Sequence, residues 1–229
     1  PPIIESIKLN LQKKGVDVNV FNFSTTSSNH TAHMHRIIKY HDIFNFDFVV
    51  FYGGWNETIQ YVNYDPRPGY PYNFFFRNDL SPIKKLILKY SSILGEFDMH
   101  TGIINGRAKL VLSTKTEDWE KKIINKYWRD LNVANNITTK LTKPNKCKNA
   151  QFISITQPGE PRTLEEEQIW NLLKQSQNKN FNTWSHYDFT NENENVKFKD
   201  NIHLLQDSRN YIGKKISNII FSEYQNYCN

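Results

Sequence analysis

The residues of this chain best suited to catalysis lie near its C-terminal end, where the sequence runs Asp200-Asn201-Ile202-His203. An Asp three residues before a His allows the carboxylate to turn back onto the imidazole and bind one ring nitrogen. The other ring nitrogen is then free to accept a proton from a nucleophile. We therefore predict that His203 is a general base and that Asp200 orients it.

The segments on either side of this pair favour a catalytic position. An apolar extended stretch, 196–199, leads into it, and a predicted helix, 208–224, follows. One face of that helix carries apolar residues at helical spacing, namely Ile212, Ile216, Ile219, Ile220 and Tyr224. His203 is thus expected on a loop at the end of a sheet, where α/β enzymes commonly keep reactive side chains.

A second candidate follows a predicted buried strand. Residues 46–52 are almost continuously apolar and end at Gly53-Gly54-Trp55-Asn56-Glu57. The glycines allow a sharp turn, which would present the Asn56 amide at the carboxyl edge of the sheet. An amide at that edge can donate a hydrogen bond to a developing oxyanion. The alternative is a glycine turn with an Asn that faces solvent.

Helices and strands alternate along the rest of the chain. We predict helices over 2–14, 31–40, 118–135, 163–175 and 208–224, and strands over 16–21, 46–52, 150–158 and 184–189. Thr163, followed by Glu166 three residues later, predicts a capping box at the start of one helix. The alternation predicts βαβ units and a parallel sheet, and 229 residues suffice for a single α/β domain over 1–229.

An aromatic-rich insertion interrupts this alternation at about 61–115. It includes a Pro- and Tyr-rich loop with Tyr64, Arg67 and Tyr70, and a helix is predicted after Pro82. Exposed aromatic rings on a loop suit stacking against sugar rings, so we expect a lid or a substrate-binding wall. The alternative is a loop held in place by its own aromatic residues.

Composition limits the classes of partner. The mean hydropathy is −0.67 and no apolar run approaches eighteen residues, so no membrane-spanning helix is predicted. The net charge is +6, but the lysines are scattered over helical surfaces, which favours solvated faces over a nucleic-acid groove. The basic net charge, taken alone, would favour another hypothesis, in which the chain is an unrelated module that binds an anion.

The sequence does not predict a metal site or a cofactor. Four histidines fall close together, at His30, His33, His35 and His41, without a carboxylate or cysteine at ligand spacing. The two cysteines, at 147 and 228, lie far apart and are expected to be unpaired thiols.

Taken together, these blocks resemble the SGNH (GDSL-type) hydrolases. Gly54-Trp55-Asn56-Glu57 matches the family's G-x-N-D block, and Asp200 with His203 matches its final D-x-x-H block. The resemblance implies a three-layer α/β/α fold with a central parallel sheet, similar to flavodoxin. It also implies an oxyanion hole made by Asn56, Gly54 and, at the position where the family has a glycine, Ser27.

The chain departs from the family pattern in three places. Glu57 replaces the usual Asp, Ser27 replaces the usual Gly, and no G-D-S block with the nucleophile is present. The family's nucleophile strand precedes the helix that corresponds to 2–14 and pairs inside the sheet. We therefore expect an N-terminal segment that carries this strand and its Ser. The alternative is that Ser27 or Ser28 has become the nucleophile.

The resemblance implies an ester hydrolase or acyl transferase without a cofactor. The aromatic insertion favours a carbohydrate ester or another small ester as substrate, with Trp55, Tyr64, Arg67 and Tyr70 as candidate binding residues. The alternative is a catalytically inactive module of this fold that binds a glycan or a protein. The Asn-, Lys- and Ile-rich composition indicates a bacterial protein, and it leaves cytoplasm and cell envelope, as well as the oligomeric state, open.

Overall fold

The structure of the protein is a computed structural model, which describes residues 3–24, 28–58, 119–141, 149–177, 183–200 and 202–227. In chain order its elements are α1 (Ile3–Lys13), α2 (His30–Tyr40), β1 (Phe48–Gly53), α3 (Trp55–Thr58), α4 (Trp119–Leu141), β2 (Gln151–Thr156), α5 (Leu164–Ser176), β3 (Ser185–Asp188), a 3₁₀ helix (Thr190–Asn195) and α6 (Gln206–Tyr227). The predicted insertion at 61–115 lies outside the described residues.

The three strands form one parallel sheet in the order β1-β2-β3. Val50 lies opposite Ile153, and Ile155 lies opposite Tyr187. Since the strands are parallel, their carboxyl ends meet at one edge of the sheet, and the segments that follow each strand begin there. The mixed α/β class and the parallel sheet, which the alternation of helices and strands predicted, are confirmed.

Two clusters of buried apolar residues hold the helices to the sheet. The first contains Phe51 and Phe152 together with residues of α2, α4 and α5. The second contains Ile153 and Ile155 together with residues of α1 and α6. Because successive residues of a strand point to opposite faces, Phe152 and Ile153 place the two clusters on opposite sides of β2.

Helices α1 and α6 approach each other closely at a glycine. A Cβ added to Gly213 would lie 2.6 Å from the Cβ of Ser6, so any larger residue would push the helices apart. Ser6 also donates a hydrogen bond from Oγ to the Asn210 carbonyl at 3.2 Å. This contact fixes α6, which directly follows the loop that carries His203.

Most predicted elements are present with boundaries shifted by a few residues, and the capping box of α5 is confirmed. The Glu166 N–H donates to Thr163 Oγ1 at 3.2 Å, and the Thr163 N–H donates to Glu166 Oε2 at 3.3 Å. Among the described helices, none combines the length and the apolar composition needed to cross a membrane.

The predicted strand over 16–21 is wrong, because this segment has no regular secondary structure. Val16 and Val18 pack against the second cluster, while Asp17 and Asn19 are exposed. The alternation of partly buried and exposed side chains that predicted the strand is therefore present in the structure. A strand also requires backbone partners, however, and no described residue pairs with this segment in a ladder.

Candidate functional site

The segments that leave the carboxyl ends of the three strands contact one another. After β1, the Trp55 ring lies so close to Gly159 that an added Cβ would approach it to 2.8 Å. Gly159 follows β2 and exchanges two hydrogen bonds with Asn193 of the 3₁₀ helix after β3, at 3.2 and 2.7 Å. The carboxyl edge of an open parallel sheet is the usual place for a ligand site.

Asp200 and His203 lie in a tight loop between β3 and α6. An isolated antiparallel bridge between Phe198 and Leu204 closes this loop, and the Lys199 N–H donates to the His203 carbonyl at 2.6 Å. The predicted pairing is present, because His203 Nδ1 lies 2.6 Å from Asp200 Oδ2.

Apolar neighbours anchor His203 from both sides. Ile202 packs against the first cluster, which includes Trp55, whereas Leu204 is buried in the second cluster. The backbone of His203 therefore lies between residues that are packed into the two apolar clusters, while its side chain remains 70% exposed. A fixed backbone with an accessible side chain is the arrangement that a catalytic base needs.

Asp200 is held ionised despite its position in a closed loop. Partial burial acts to raise its pKa, but three hydrogen bonds outweigh this effect and lower the pKa to about 2. The N–H groups of Ile202 and His203 donate to Oδ1 at 2.9 and 2.8 Å, and the imidazole binds Oδ2. An ionised Asp200 favours the imidazole tautomer with its proton on Nδ1, which leaves Nε2 as the basic nitrogen.

Asn56 lies on α3, immediately after a glycine turn. Gly54 has a φ of 124°, which non-glycine residues rarely adopt, so this turn favours glycine at position 54. The Asn56 side chain donates from Nδ2 to the Ser28 carbonyl at 2.9 Å. An amide group has two N–H donors, so this bond fixes Asn56 and leaves a second donor.

The Gly54 N–H has a different partner from the one the resemblance implied. It donates to Glu57 Oε2 at 2.7 Å, inside the turn. The role of Gly54 in an oxyanion hole stays a prediction, and this internal bond makes Asn56 the stronger donor candidate.

The prediction that Trp55 contacts substrate is not supported. Its side chain is 3% exposed and packs against Trp170, with ring centroids 5.2 Å apart. Burial against a second Trp stabilises the apolar core and leaves no ring face for a ligand. Ser27, Tyr64, Arg67 and Tyr70 lie outside the described residues.

Comparison with protein-family models, with curated proteins and with solved structures finds no match for this chain. The assignment of a function therefore rests on the geometry of the site. Within the described ranges, no group of three or more His, Cys, Asp or Glu side chains is arranged to hold a metal ion.

The structure also reveals a polar network that the sequence did not indicate. His186 Nδ1 lies 2.6 Å from Ser154 Oγ, and His186 Nε2 contacts Gln177 Oε1. Ser154 accepts a further hydrogen bond from Trp184 Nε1 at 2.9 Å. Burial lowers the pKa of His186 to about 4, so this histidine is neutral. Since Ser154 is buried on the central strand, we interpret the network as structural.

Proposed function

We propose that the protein is an ester hydrolase or acyl transferase of the SGNH type, with a three-layer α/β/α fold. His203 acts as the general base, Asp200 orients it, and Asn56 donates a hydrogen bond to the oxyanion. The observation that carries the proposal is the 2.6 Å contact between His203 Nδ1 and an ionised Asp200, on a loop that exposes the imidazole.

In this reaction a serine hydroxyl attacks the carbonyl carbon of an ester and its proton passes to His203 Nε2. The negative charge that develops on the carbonyl oxygen is stabilised by the second N–H of Asn56. The alkoxide leaves with the proton from His203, and water or a sugar hydroxyl then takes the acyl group. The proposal needs a serine supplied from outside the described residues.

A carbohydrate O-acyl ester is the substrate class that we favour. The His203 side chain is 70% exposed, and this accessibility suits a large polar substrate. The predicted insertion carries aromatic and Arg side chains that suit stacking and hydrogen bonding to sugar rings, namely Tyr64, Arg67 and Tyr70.

A catalytically inactive module that binds a glycan or a protein is the second candidate. The observation in its favour is that, in the part of the chain that the structure describes, no serine side chain contacts His203. This candidate predicts binding without turnover, whereas the first predicts both.

The test is ester hydrolysis by the full-length protein, first with p-nitrophenyl acetate and then with acetylated xylan. We expect Asn56→Ala to lower kcat by about 10²-fold, the effect of removing one oxyanion donor. The matched control is Asn136→Ala, because Asn136 also donates from Nδ2 to a backbone carbonyl but lies on α4. If Asn56→Ala and Asn136→Ala have the same activity, Asn56 is not the oxyanion donor.

A further inference from the structure

The short helix α3 carries Asn56 and depends on contacts outside itself. It has four residues, and a single turn is unstable alone because its nucleation costs more free energy than its hydrogen bonds return. Glu57 accepts the Gly54 N–H at 2.7 Å, and Thr58 Oγ1 donates to the Gly54 carbonyl at 2.6 Å. The orientation of Asn56 therefore depends on Glu57 and on what holds Glu57.

Glu57 lies against His30, the first residue of α2. His30 Nε2 is 3.5 Å from Glu57 Oε1, and the side chains are only 2% and 4% exposed. Burial raises the pKa of Glu57 and lowers that of His30 to about 3. A buried carboxyl group costs free energy unless it is hydrogen-bonded, so an aliphatic side chain would be more favourable at position 57 if the residue there only filled space. Glu57 therefore serves through its polar contacts.

Gly53 provides the space in which this pair fits. A Cβ at Gly53 would lie 3.2 Å from His30 Nε2 and 3.3 Å from Glu57 Oε2, closer than such contacts normally are. Gly53 does not have a positive φ, in contrast to Gly54, so its backbone conformation is open to other residues. The close approach of His30 and Glu57 is thus the reason for a glycine at this position.

A second contact joins the same two segments. The Asn56 amide donates to the Ser28 carbonyl, two residues before His30 in the chain. Between them, Asn29 accepts the Ala32 N–H at 3.1 Å and caps α2. The segment from Ser28 to His30 therefore holds both Asn56 and Glu57, and the N-terminal cap ties that segment to α2.

We propose that Glu57 and His30 are positioning residues that set the orientation of the Asn56 amide by tying α3 to the start of α2. This inference rests on the proposed function, in which Asn56 holds the oxyanion. Electrostatic stabilisation of a transition state depends on donors that are already oriented, because reorientation during the reaction costs free energy. Loss of the Glu57 carboxylate is therefore expected to lower kcat more than it changes KM.

The first test does not require activity. The two side-chain amide protons of Asn56 are assigned by NMR as the signals that Asn56→Ala removes. In Glu57→Gln we expect these protons to exchange with solvent at least about tenfold faster, since the segment that restrains them is loosened. The matched control is Glu166→Gln, because Glu166 also accepts backbone N–H groups at a helix start but belongs to α5.

A conservative substitution at His30 separates positioning from filling. His30→Gln keeps an N–H donor within reach of Glu57, whereas His30→Leu fills similar space without one. We expect His30→Gln to preserve slow exchange of the Asn56 amide and His30→Leu to accelerate it. These two variants also test the proposal if Glu57→Gln fails to fold.

The second test is kinetic and separates the two proposals. With an active wild type, we expect Glu57→Gln to lower kcat by about tenfold or more and to change KM by less than about threefold. Faster exchange of the Asn56 amide in a protein that hydrolyses no ester would support the positioning pair and overturn the proposed function. Unchanged exchange in both Glu57→Gln and His30→Leu would overturn the positioning pair, whatever the activity.

Discussion

Two histidines in the described part of the chain, His203 and His186, each have a side-chain oxygen 2.6 Å from Nδ1, and they differ in the ring nitrogen that remains for a substrate. His203 Nδ1 contacts Asp200, and its side chain is 70% exposed on a loop. His186 Nδ1 contacts Ser154, and its Nε2 contacts Gln177, in a partly buried network. His203 uses one ring nitrogen in its contact with Asp200, whereas His186 uses both ring nitrogens in contacts with Ser154 and Gln177.

The comparison shows that a Ser–His contact by itself does not identify a catalytic site. Ser154 and His186 lie as close together as a nucleophile and its base, yet Ser154 is buried on the central strand of the sheet. Asp200 and His203 form a less buried contact that leaves a basic nitrogen open to solvent. Access and a free nitrogen, rather than the distance, distinguish the two roles.

The strongest consequence of this difference is for activity, and Asp200→Asn tests it. We expect kcat/KM to fall by about 10²-fold or more, because an amide in place of the carboxylate no longer holds the Nδ1–H tautomer. The free energy of unfolding should change by less than about 1 kcal/mol, as is usual for exposed ion pairs. Asp42→Asn is the matched control, because the exposed Asp42 also lies beside a histidine, with Oδ1 3.2 Å from His41 Nε2.

For Asp200→Asn the measurements are steady-state kinetics and urea unfolding. A variant that loses stability but keeps its activity would reverse the roles assigned to the two histidines.

The next effect concerns stability, through His186→Ala. This change removes one hydrogen-bond partner from each of Ser154 and Gln177 and leaves a cavity in place of the imidazole, and we expect it to lower the free energy of unfolding by about 2–4 kcal/mol. Activity per folded molecule should remain close to that of the wild type. Urea denaturation of both proteins provides the measurement, and a change below about 0.5 kcal/mol would contradict a structural network.

A smaller effect should appear in the pH dependence of stability. Burial lowers the pKa of His30 to about 3 and those of His33 and His186 to about 4. At pH values between these lowered pKa values and 6.5, the ordinary pKa of histidine, the unfolded chain binds more protons than the folded protein. Stability therefore falls as the pH falls. The raised pKa of Glu57 acts in the opposite direction above 4.5. The difference between the wild type and a histidine variant, rather than the net slope, therefore isolates the contribution of a histidine.

We expect each of these histidines to contribute on the order of 1–3 kcal/mol of this loss. Urea unfolding at about pH 7.5 and at about pH 5, on either side of the ordinary pKa of histidine, measures it. His186→Gln should flatten the dependence, because it removes one titrating group. The same pH dependence in the wild type and in His186→Gln would show that the pKa of His186 is not lowered in the folded protein.

Local patterns in the sequence predicted the parts of the fold that depend on neighbouring residues. The apolar runs that became β1 and β2, and the capping box of α5, are determined by side chains a few residues apart. The predicted strand over 16–21 was wrong because strand formation depends on a partner that its own sequence does not contain. The pairing of Asp200 and His203 was predictable, since they are only three positions apart in the sequence.

The parts of the site that the sequence did not indicate depend on distant contacts. Trp55 was predicted to bind substrate, and it is buried because Gly159 and Trp170, more than a hundred residues later, pack around it. In the same way, Ser154 and His186 are brought together by the pairing of β2 with β3. His30 and Glu57 contact each other only because α2 packs beside the turn after β1.

The decisive experiment is ester hydrolysis by His203→Ala beside His186→Ala, both in the full-length protein. We predict that His203→Ala loses about 10³-fold or more in kcat/KM with unchanged stability, as expected for removal of a catalytic base. His186→Ala should keep its activity and lose stability. Full activity in His203→Ala, with a well-folded and active wild type, would show that His203 is not the catalytic base.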